Sequence, residues 1–221
     1  LGLRANKGLA QHFLTDEAAL ENVVAAANLG PDDTVIEIGA GLGVLTRELA
    51  KHAGKVIAIE LDEDLAKALS SELSGSSNVT VVHADVLDTN PADLVGPDAR
   101  YKVVANIPYY ITGAILRHFV EAPSKPKLMV LMVEKEQGMS IVAGPGKTSV
   151  LGVSVQLYGK PEIVAFVPAG SFHPPPKVDS AILRIDVYAQ PAAGVRDTEA
   201  FFRVVRAGFS SRRKQLRNAL A

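Results

Sequence analysis

Short apolar strands alternate with segments of helical spacing through the middle of the chain, and this order limits the possible folds more than any other feature. Such alternation argues for parallel βαβ units and hence an α/β fold. The apolar runs predict strands at residues 34–38, 55–60, 79–82, 101–105 and 127–133, helices at 44–52, 64–73 and 148–158, and a closing antiparallel strand pair at 163–167 and 178–187.

Composition narrows the class of protein. The 221 residues suffice for one α/β domain with a small appendage. No apolar run reaches about eighteen residues, so we expect no membrane span. The lack of cysteine excludes disulfides and thiolate metal sites and fits a cytoplasmic protein, and five scattered histidines predict no metal site. Residues 1–11 lack the apolar core of a signal peptide, and because Leu1 is not Met we expect some N-terminal sequence to be missing.

Basic side chains concentrate near the end of the chain. The net charge is −1, but residues 196–221 contain seven basic and two acidic side chains, whereas the preceding 195 residues contain 16 basic and 22 acidic ones. A localised basic segment suits a phosphate backbone. The same charges would also suit a solvated helix face. The charge pattern therefore allows a nucleic-acid partner without requiring one.

A glycine-rich loop at residues 37–43 follows the first predicted strand and precedes a helix. Gly39, Gly41 and Gly43 occupy alternate positions, where glycine lets backbone N–H groups and the helix N-terminus approach a ligand closely. The dinucleotide-binding fingerprint has its third glycine one residue later. The spacing thus disfavours a nicotinamide-dependent oxidoreductase, which stays an alternative, and demands no pyrophosphate.

Acidic residues mark the ends of the next two predicted strands. Glu60 ends the second strand, twenty-one residues after Gly39, where a carboxylate can accept hydrogen bonds from both hydroxyls of a ribose. Asp85 follows the third strand, where a carboxylate could meet an adenine amine. Because ligands of open α/β sheets bind at the carboxyl ends of the strands, the loop and the two carboxylates together predict a nucleoside site.

Asn106, Ile107, Pro108 and Tyr109 follow the fourth predicted strand. A nucleobase amine is a poor nucleophile because its lone pair is delocalised into the ring. Acceptors such as the Asn106 carboxamide oxygen and the Ile107 carbonyl can hold both N–H bonds and direct the lone pair, which suffices for an in-line displacement without a strong base. Tyr109 would stack on a flipped base. Beside a nucleoside loop, these residues predict methylation of a nucleobase nitrogen; alone, they would equally fit a strand-to-turn corner.

A proline-rich loop at residues 171–180 is the third candidate. Three consecutive prolines make a stiff, extended segment that loses little entropy on folding. Such a loop can present Phe172 rigidly, so that its ring closes the second face of a base stacked on Tyr109. The plainer alternative is a loop with a buried Phe172 and a surface His173.

These motifs together closely resemble the ribosomal RNA adenine dimethyltransferase family, whose members use S-adenosylmethionine to convert adenosine to N6,N6-dimethyladenosine. The resemblance runs from Asn6 to Leu220. The stretches that carry it are residues 11–14, 37–43, Glu60, Asp85, 106–109, 172–180 and 209–218.

The resemblance implies a fold, a cofactor and a partner. Residues 1–189 would form a Rossmann-like, seven-stranded class I methyltransferase sheet, and residues 190–221 would begin a small basic helical domain that is otherwise missing from the sequence. The implied partner is rRNA within the small ribosomal subunit or its precursor, bound by a monomer. The implied residues are His12, Leu14, Gly39, Gly41, Glu60, Asp85 and Asn106 for S-adenosylmethionine, Asn106, Pro108, Tyr109 and Phe172 for catalysis, and Arg212, Arg213, Lys214 and Arg217 for RNA.

The chain departs from the family's pattern at several positions. The family's opening motif usually has Asn where this chain has His12, so we expect the cofactor contact there to change. The helix that begins at Glu134 usually opens with Gln and carries Arg where Ser140 stands, so we expect a weaker RNA contact.

Two branches of the family compete. One modifies two adjacent adenosines in the 3′-terminal hairpin of small-subunit (16S) rRNA during ribosome maturation; the other modifies one large-subunit adenosine and confers macrolide-type resistance. Residues 106–109 are closer to the second branch, whereas residues 172–180 and 212–218 are closer to the first, which we favour. A non-catalytic assembly or transcription factor on the same fold is an alternative of another class, against which the intact amine site argues.

Overall fold

A computed structural model describes residues 12–97 and 99–210 of the protein. The strands are β1 (Phe13–Leu14), β2 (Thr34–Ile38), β3 (Lys55–Glu60), β4 (Val79–His83), β5 (Tyr101–Asn106), β6 (Leu128–Glu134), β7 (Gly159–Val167), β8 (Phe172–His173) and β9 (Ser180–Val187). The α-helices are α1 (Glu17–Ala27), α2 (Val44–His52), α3 (Glu63–Glu72), α4 (Pro91–Val95), α5 (Thr112–Val120), α6 (Lys135–Val142), α7 (Val150–Tyr158) and α8 (Thr198–Gly208).

Seven strands form one sheet in the order β4-β3-β2-β5-β6-β9-β7. Strands β2 to β6 are parallel, and β9 runs antiparallel to both β6 and β7. The chain adds β3 and β4 on one side of β2 and then returns to add β5 and β6 on the other side. The sheet therefore has a topological switch point between β2 and β5. The predicted Rossmann-like seven-stranded fold is confirmed, including the closing antiparallel pair.

The helices cover both faces of the sheet, because alternate residues of each strand point to opposite sides. On one face, α1 and α2 bury Val23 and Leu49 against Val35 and Val104. On the other, α5, α6 and α7 pack against the remaining strand positions, which include Ile36. Strands buried on both faces are near-continuously apolar, which is why their positions were predictable from the sequence.

Differences from the predicted elements have local causes. Strand β7 begins at Gly159, four residues before the predicted start, and includes Pro161. An edge strand tolerates a proline because one side of it needs no hydrogen-bond donors. Helices α1, α4 and α5 were not predicted. Helix α1 begins at an Asp16 cap, whose side chain accepts hydrogen bonds from the N–H groups of Ala18 and Ala19.

Helix α8 follows the proline- and glycine-containing segment at residues 190–194. Its Phe201 and Phe202 are half-buried and pack against the main apolar core beside α7. The predicted domain boundary at residues 189/190 stays a prediction. The four basic residues proposed to bind RNA, Arg212, Arg213, Lys214 and Arg217, lie outside the described residues.

Membrane and metal features were sought only in residues 12–97 and 99–210. No helix there is long and apolar enough to cross a membrane. The same residues contain no group of three or more histidine, aspartate or glutamate side chains arranged to hold a metal ion.

A buried lysine joins the amino edge of the sheet to helix α1. Lys102 of β5 is 6% exposed, and its ammonium donates hydrogen bonds to the carbonyl oxygens of Ala27 and Asn28 at the end of α1 and to Asp33. A cation here complements the negative end of the helix dipole. Burial alone raises the pKa of Asp33, but hydrogen bonds from Lys102 and Lys127 outweigh it and lower the pKa to about 2.

We expect Lys102→Met to lower the free energy of unfolding by about 3 kcal/mol, because it removes the buried partner of the Asp33 carboxylate, which keeps the more exposed Lys127 as a cation, and takes this donor from two helix carbonyls. Urea denaturation measures the loss. The matched control is Lys127→Met, which removes a 45% exposed side chain from the same Asp33 carboxylate and should cost about 1 kcal/mol or less. Equal losses in the two variants would contradict the importance of burial.

Candidate active site

A cavity opens at the carboxyl edge of the sheet, where β2 and β5 end side by side. The Gly39 N–H donates to the Ile59 carbonyl at 2.8 Å, and a Cβ built on Gly39 would lie 3.6 Å from the Asn106 carbonyl oxygen. This close approach brings most of the predicted residues together. Those lining the cavity are His12, Leu14, Gly39, Gly41, Glu60, Asp85, Asn106, Pro108 and Tyr109.

Backbone conformation and a close aromatic contact explain the glycine at position 41. Its φ is +55°, in the left-handed region where a side chain is strained. A Cβ there would also lie 3.1 Å from the Phe13 ring, which covers the loop. The Gly41 N–H donates to Glu60 Oε2 at 2.7 Å. The loop is thus held between an aromatic ring and a carboxylate.

The two predicted cofactor carboxylates differ in burial. Glu60 is 5% exposed, and its second oxygen accepts from the Asp62 N–H at 2.9 Å. A carboxylate has about four acceptor positions, so two remain for the predicted ribose hydroxyls. Asp85 is exposed and its Oδ1 accepts from the Leu87 N–H at 2.9 Å, while Oδ2 accepts nothing from the described part of the chain. Both cofactor roles stay predictions.

The Asn106 carboxamide has a defined orientation. Its Nδ2 donates to the backbone carbonyl of His12 at 3.0 Å. No donor among the described residues reaches its Oδ1. The amide therefore offers an acceptor to the cavity, which is the polarity that the predicted contact with an amine N–H requires.

Tyr109 begins a short 3-10 turn directly after Pro108. Its hydroxyl forms a 2.6 Å hydrogen bond with the hydroxyl of Ser180, a fully buried residue at the start of β9. Burial raises the pKa of Tyr109, so the hydroxyl is neutral at physiological pH. The sequence did not indicate this role for Ser180, although the residue ends the proline-rich motif.

Phe172 is not brought to the cavity with Tyr109. Strand β8 pairs with β1, Leu14 opposite Phe172 and Phe13 opposite His173. The Phe172 ring is 3% exposed and packs in the core cluster that contains Leu14, as in the plainer alternative for this loop. Its stacking on a base stays a prediction and would require the ring to leave that cluster.

Glu37 is a cavity residue that the sequence did not single out. It is 1% exposed, lines the same cavity, and its Oε2 has no hydrogen-bond partner among the described residues. Burial raises the pKa of Glu37 to about 8, Thr46 opposes the rise, and the charge of Glu60 adds to it. Glu37 is therefore protonated at neutral pH. A lone acidic residue inside an apolar strand was the available signal.

We expect the unfolding free energy of the wild type, relative to Glu37→Gln, to fall as pH rises. The folded-state pKa is raised from 4.5 to about 8, so the stability due to neutral Glu37 is complete below about pH 4.5 and is lost as the pH passes through 8. Denaturant unfolding of both proteins at pH 5, 7 and 9 measures the difference. A constant difference would show that Glu37 is ionised in the folded protein.

Known proteins resemble this chain over nearly its whole length. The "Ribosomal RNA small subunit methyltransferase A" of Dehalococcoides mccartyi is 51% identical over 220 residues, which cover 99% of this chain and 75% of that protein. The protein of the same name from Moorella thermoacetica is 44% identical, over 99% of this chain and 80% of its own length.

Solved structures and a family profile agree with these relatives. A dimethyladenosine transferase from Plasmodium falciparum superposes with a TM-score of 0.82 at 30% identity, over 94% of this chain and 74% of that one. The 23S rRNA methyltransferase ErmE superposes with a TM-score of 0.80 at 35% identity, over 94% and 83%. The profile described as ribosomal RNA adenine dimethylase matches residues 2–221. The chain belongs to the ribosomal RNA adenine dimethylase family.

Proposed function

We propose that this protein transfers methyl groups from S-adenosylmethionine to N6 of two adjacent adenosines in the 3′-terminal hairpin of small-subunit rRNA, as a step of ribosome maturation. The observation that carries the reaction is the oriented Asn106 amide, which offers an acceptor beside the glycine loop. The target is supported by the small-subunit name of the relatives from D. mccartyi and M. thermoacetica.

The cavity fits the proposed cofactor. Its glycine loop leaves a backbone surface on which a Cβ at Gly41 would press against the Phe13 ring, and carboxylates that suit a ribose and an adenine amine lie at the ends of β3 and β4. S-adenosylmethionine, when bound, supplies an electrophilic methyl group. The residues that would hold it include Leu14, Gly39, Gly41, Glu60 and Asp85.

The side chains at the end of β5 orient the target amine. Asn106 Oδ1 accepts one N–H of the adenine amine and the Ile107 carbonyl accepts the other, which directs the nitrogen lone pair out of the ring plane. Tyr109 supports the face of the base, and its hydrogen bond to Ser180 limits rotation of its own hydroxyl end. The methylated amine is acidic enough to lose its proton to water, so the site needs no strong base.

A large-subunit target is the second candidate. The structural similarity to the 23S rRNA methyltransferase ErmE favours it. The test incubates unmethylated small or large ribosomal subunits with the protein and S-adenosylmethionine that carries a labelled methyl group. The subunit that becomes labelled discriminates between the two targets. We expect label at N6 of adenosine in small-subunit RNA. Label only in large-subunit RNA would overturn the choice of target, and no label in either would favour a non-catalytic binding module.

We expect Asn106→Ala to reduce methyl transfer about 100-fold or more, since it removes the acceptor that orients the amine. The dissociation constant for S-adenosylmethionine, measured by calorimetry, should change by only about twofold. Asn90→Ala is a matched control, because Asn90 caps α4 outside the cavity. A parallel collapse of cofactor affinity and transfer would instead make Asn106 a cofactor or folding residue.

We expect reversal of charge at Arg212 and Arg213 to weaken RNA binding and flatten its dependence on salt, because fewer counterions are released from the phosphates. Titrations of the RNA hairpin at several salt concentrations measure the slope, which should fall by about one per lost contact. Arg100→Glu is the control, since Arg100 is exposed just before β5, at the edge of the sheet opposite the cavity. A slope unchanged by the double reversal would assign the two arginines to a solvated surface.

A further inference from the structure

His12 joins the Asn106 side chain to the proline-rich loop. Its backbone carbonyl accepts the 3.0 Å hydrogen bond from Asn106 Nδ2. Its ring Nδ1 lies 2.7 Å from the carbonyl oxygen of Pro174. Because a carbonyl oxygen can only accept, His12 Nδ1 carries the proton of this bond. The side chain of His12 thus anchors the carbonyl that holds Asn106.

The polarity of the Asn106 amide decides whether it can help the reaction. One end of a carboxamide accepts hydrogen bonds and the other donates them. An amide turned by 180° would direct its N–H groups at the N–H groups of the substrate amine, where no hydrogen bond forms. The His12 carbonyl can pair only with the amide nitrogen, so it selects the orientation that presents Oδ1.

We propose that His12 is a positioning residue, whose side chain holds its own backbone carbonyl in place and thereby fixes the polarity of the Asn106 amide. The inference rests on the proposed function and assigns His12 a role other than the cofactor contact predicted from the sequence. His12 acts through Asn106, which touches the substrate.

Other contacts fix the segment that follows His12, so the hydrogen bond from the His12 ring to Pro174 restrains mainly the His12 carbonyl itself. Strands β1 and β8 pair directly after it. Further along, the Thr15 N–H and hydroxyl donate to the Ser171 carbonyl at 2.9 and 3.0 Å, and the Ser171 hydroxyl donates to Asp16 at 2.7 Å. The segment therefore keeps its course when the His12 ring is removed, whereas the position of the His12 carbonyl becomes less restricted.

The proposal predicts which side chains can replace His12. Asparagine has a donor nitrogen at the δ position, the same number of bonds from the backbone as Nδ1 of histidine. Glutamine has its donor one bond further out, and alanine has none. Asparagine should therefore restore the hydrogen bond to Pro174, whereas glutamine, of similar polarity, should not.

The test compares the wild type with His12→Asn, His12→Gln and His12→Ala on unmethylated small subunits. We expect His12→Ala and His12→Gln to lower kcat about five- to tenfold, the effect of one hydrogen bond. His12→Asn should stay within about twofold of the wild type. The dissociation constant for S-adenosylmethionine should change less than about twofold in all three. Loss of cofactor affinity in step with kcat, or failure of asparagine to restore kcat, would overturn the proposal.

A second measurement needs no turnover. The Asn106 side-chain amide gives a pair of NMR resonances, assigned by their loss in Asn106→Ala. We expect slow hydrogen exchange of this amide in the wild type and His12→Asn, and faster exchange in His12→Ala. Unchanged exchange would refute the positioning role even in an active enzyme. If the wild-type protein transferred no label to either subunit but the Asn106 amide showed the expected hydrogen exchange, only the proposed function would be refuted.

Discussion

The parallel pairing of β2 with β5 is the constraint on which the rest of the site depends. Ile38 lies opposite Ala105, so the residues that follow, Gly39 and Asn106, meet at the carboxyl edge. Glycine suits this junction because Gly39 has a φ of +70°, in the left-handed region where a side chain is strained. The cofactor side and the amine side of the cavity are therefore adjacent because two neighbouring strands end at the same level.

Around this junction, the cavity is completed by segments distant in sequence. The residues before α1 contribute Phe13 above the glycine loop and the His12 carbonyl beside Asn106. The start of β9 contributes Ser180, which holds Tyr109. Both supporting segments adjoin the proline-rich loop. The stiffness of the proline-rich loop thus matters less for presenting the Phe172 ring than for holding His12 and Ser180 in place.

The central strands and the residues that line the cavity were predictable because their signals are local. A strand covered on both faces is a short apolar run, and a ligand site in an open sheet lies where such runs end. Helices α1 and α5 were harder to predict from the sequence. Which of their residues are buried depends on the face of the sheet against which each helix packs. Phe172 was predicted to face Tyr109 from the stiffness of the proline-rich loop alone. In the structure, pairing of β8 with β1 buries Phe172 in the core instead.

The sheet, the glycine loop and the order in which the acidic and amide residues follow successive strands can be predicted from the amino-acid sequence, because apolar runs and backbone-permissive residues act within a few positions of one another. The folded chain is needed to show which way the Asn106 amide points, that Glu37 is neutral and that Ser180 holds Tyr109. Each of these depends on a hydrogen bond or a loss of solvent between residues far apart in the chain, and no spacing in the sequence encodes such a distance.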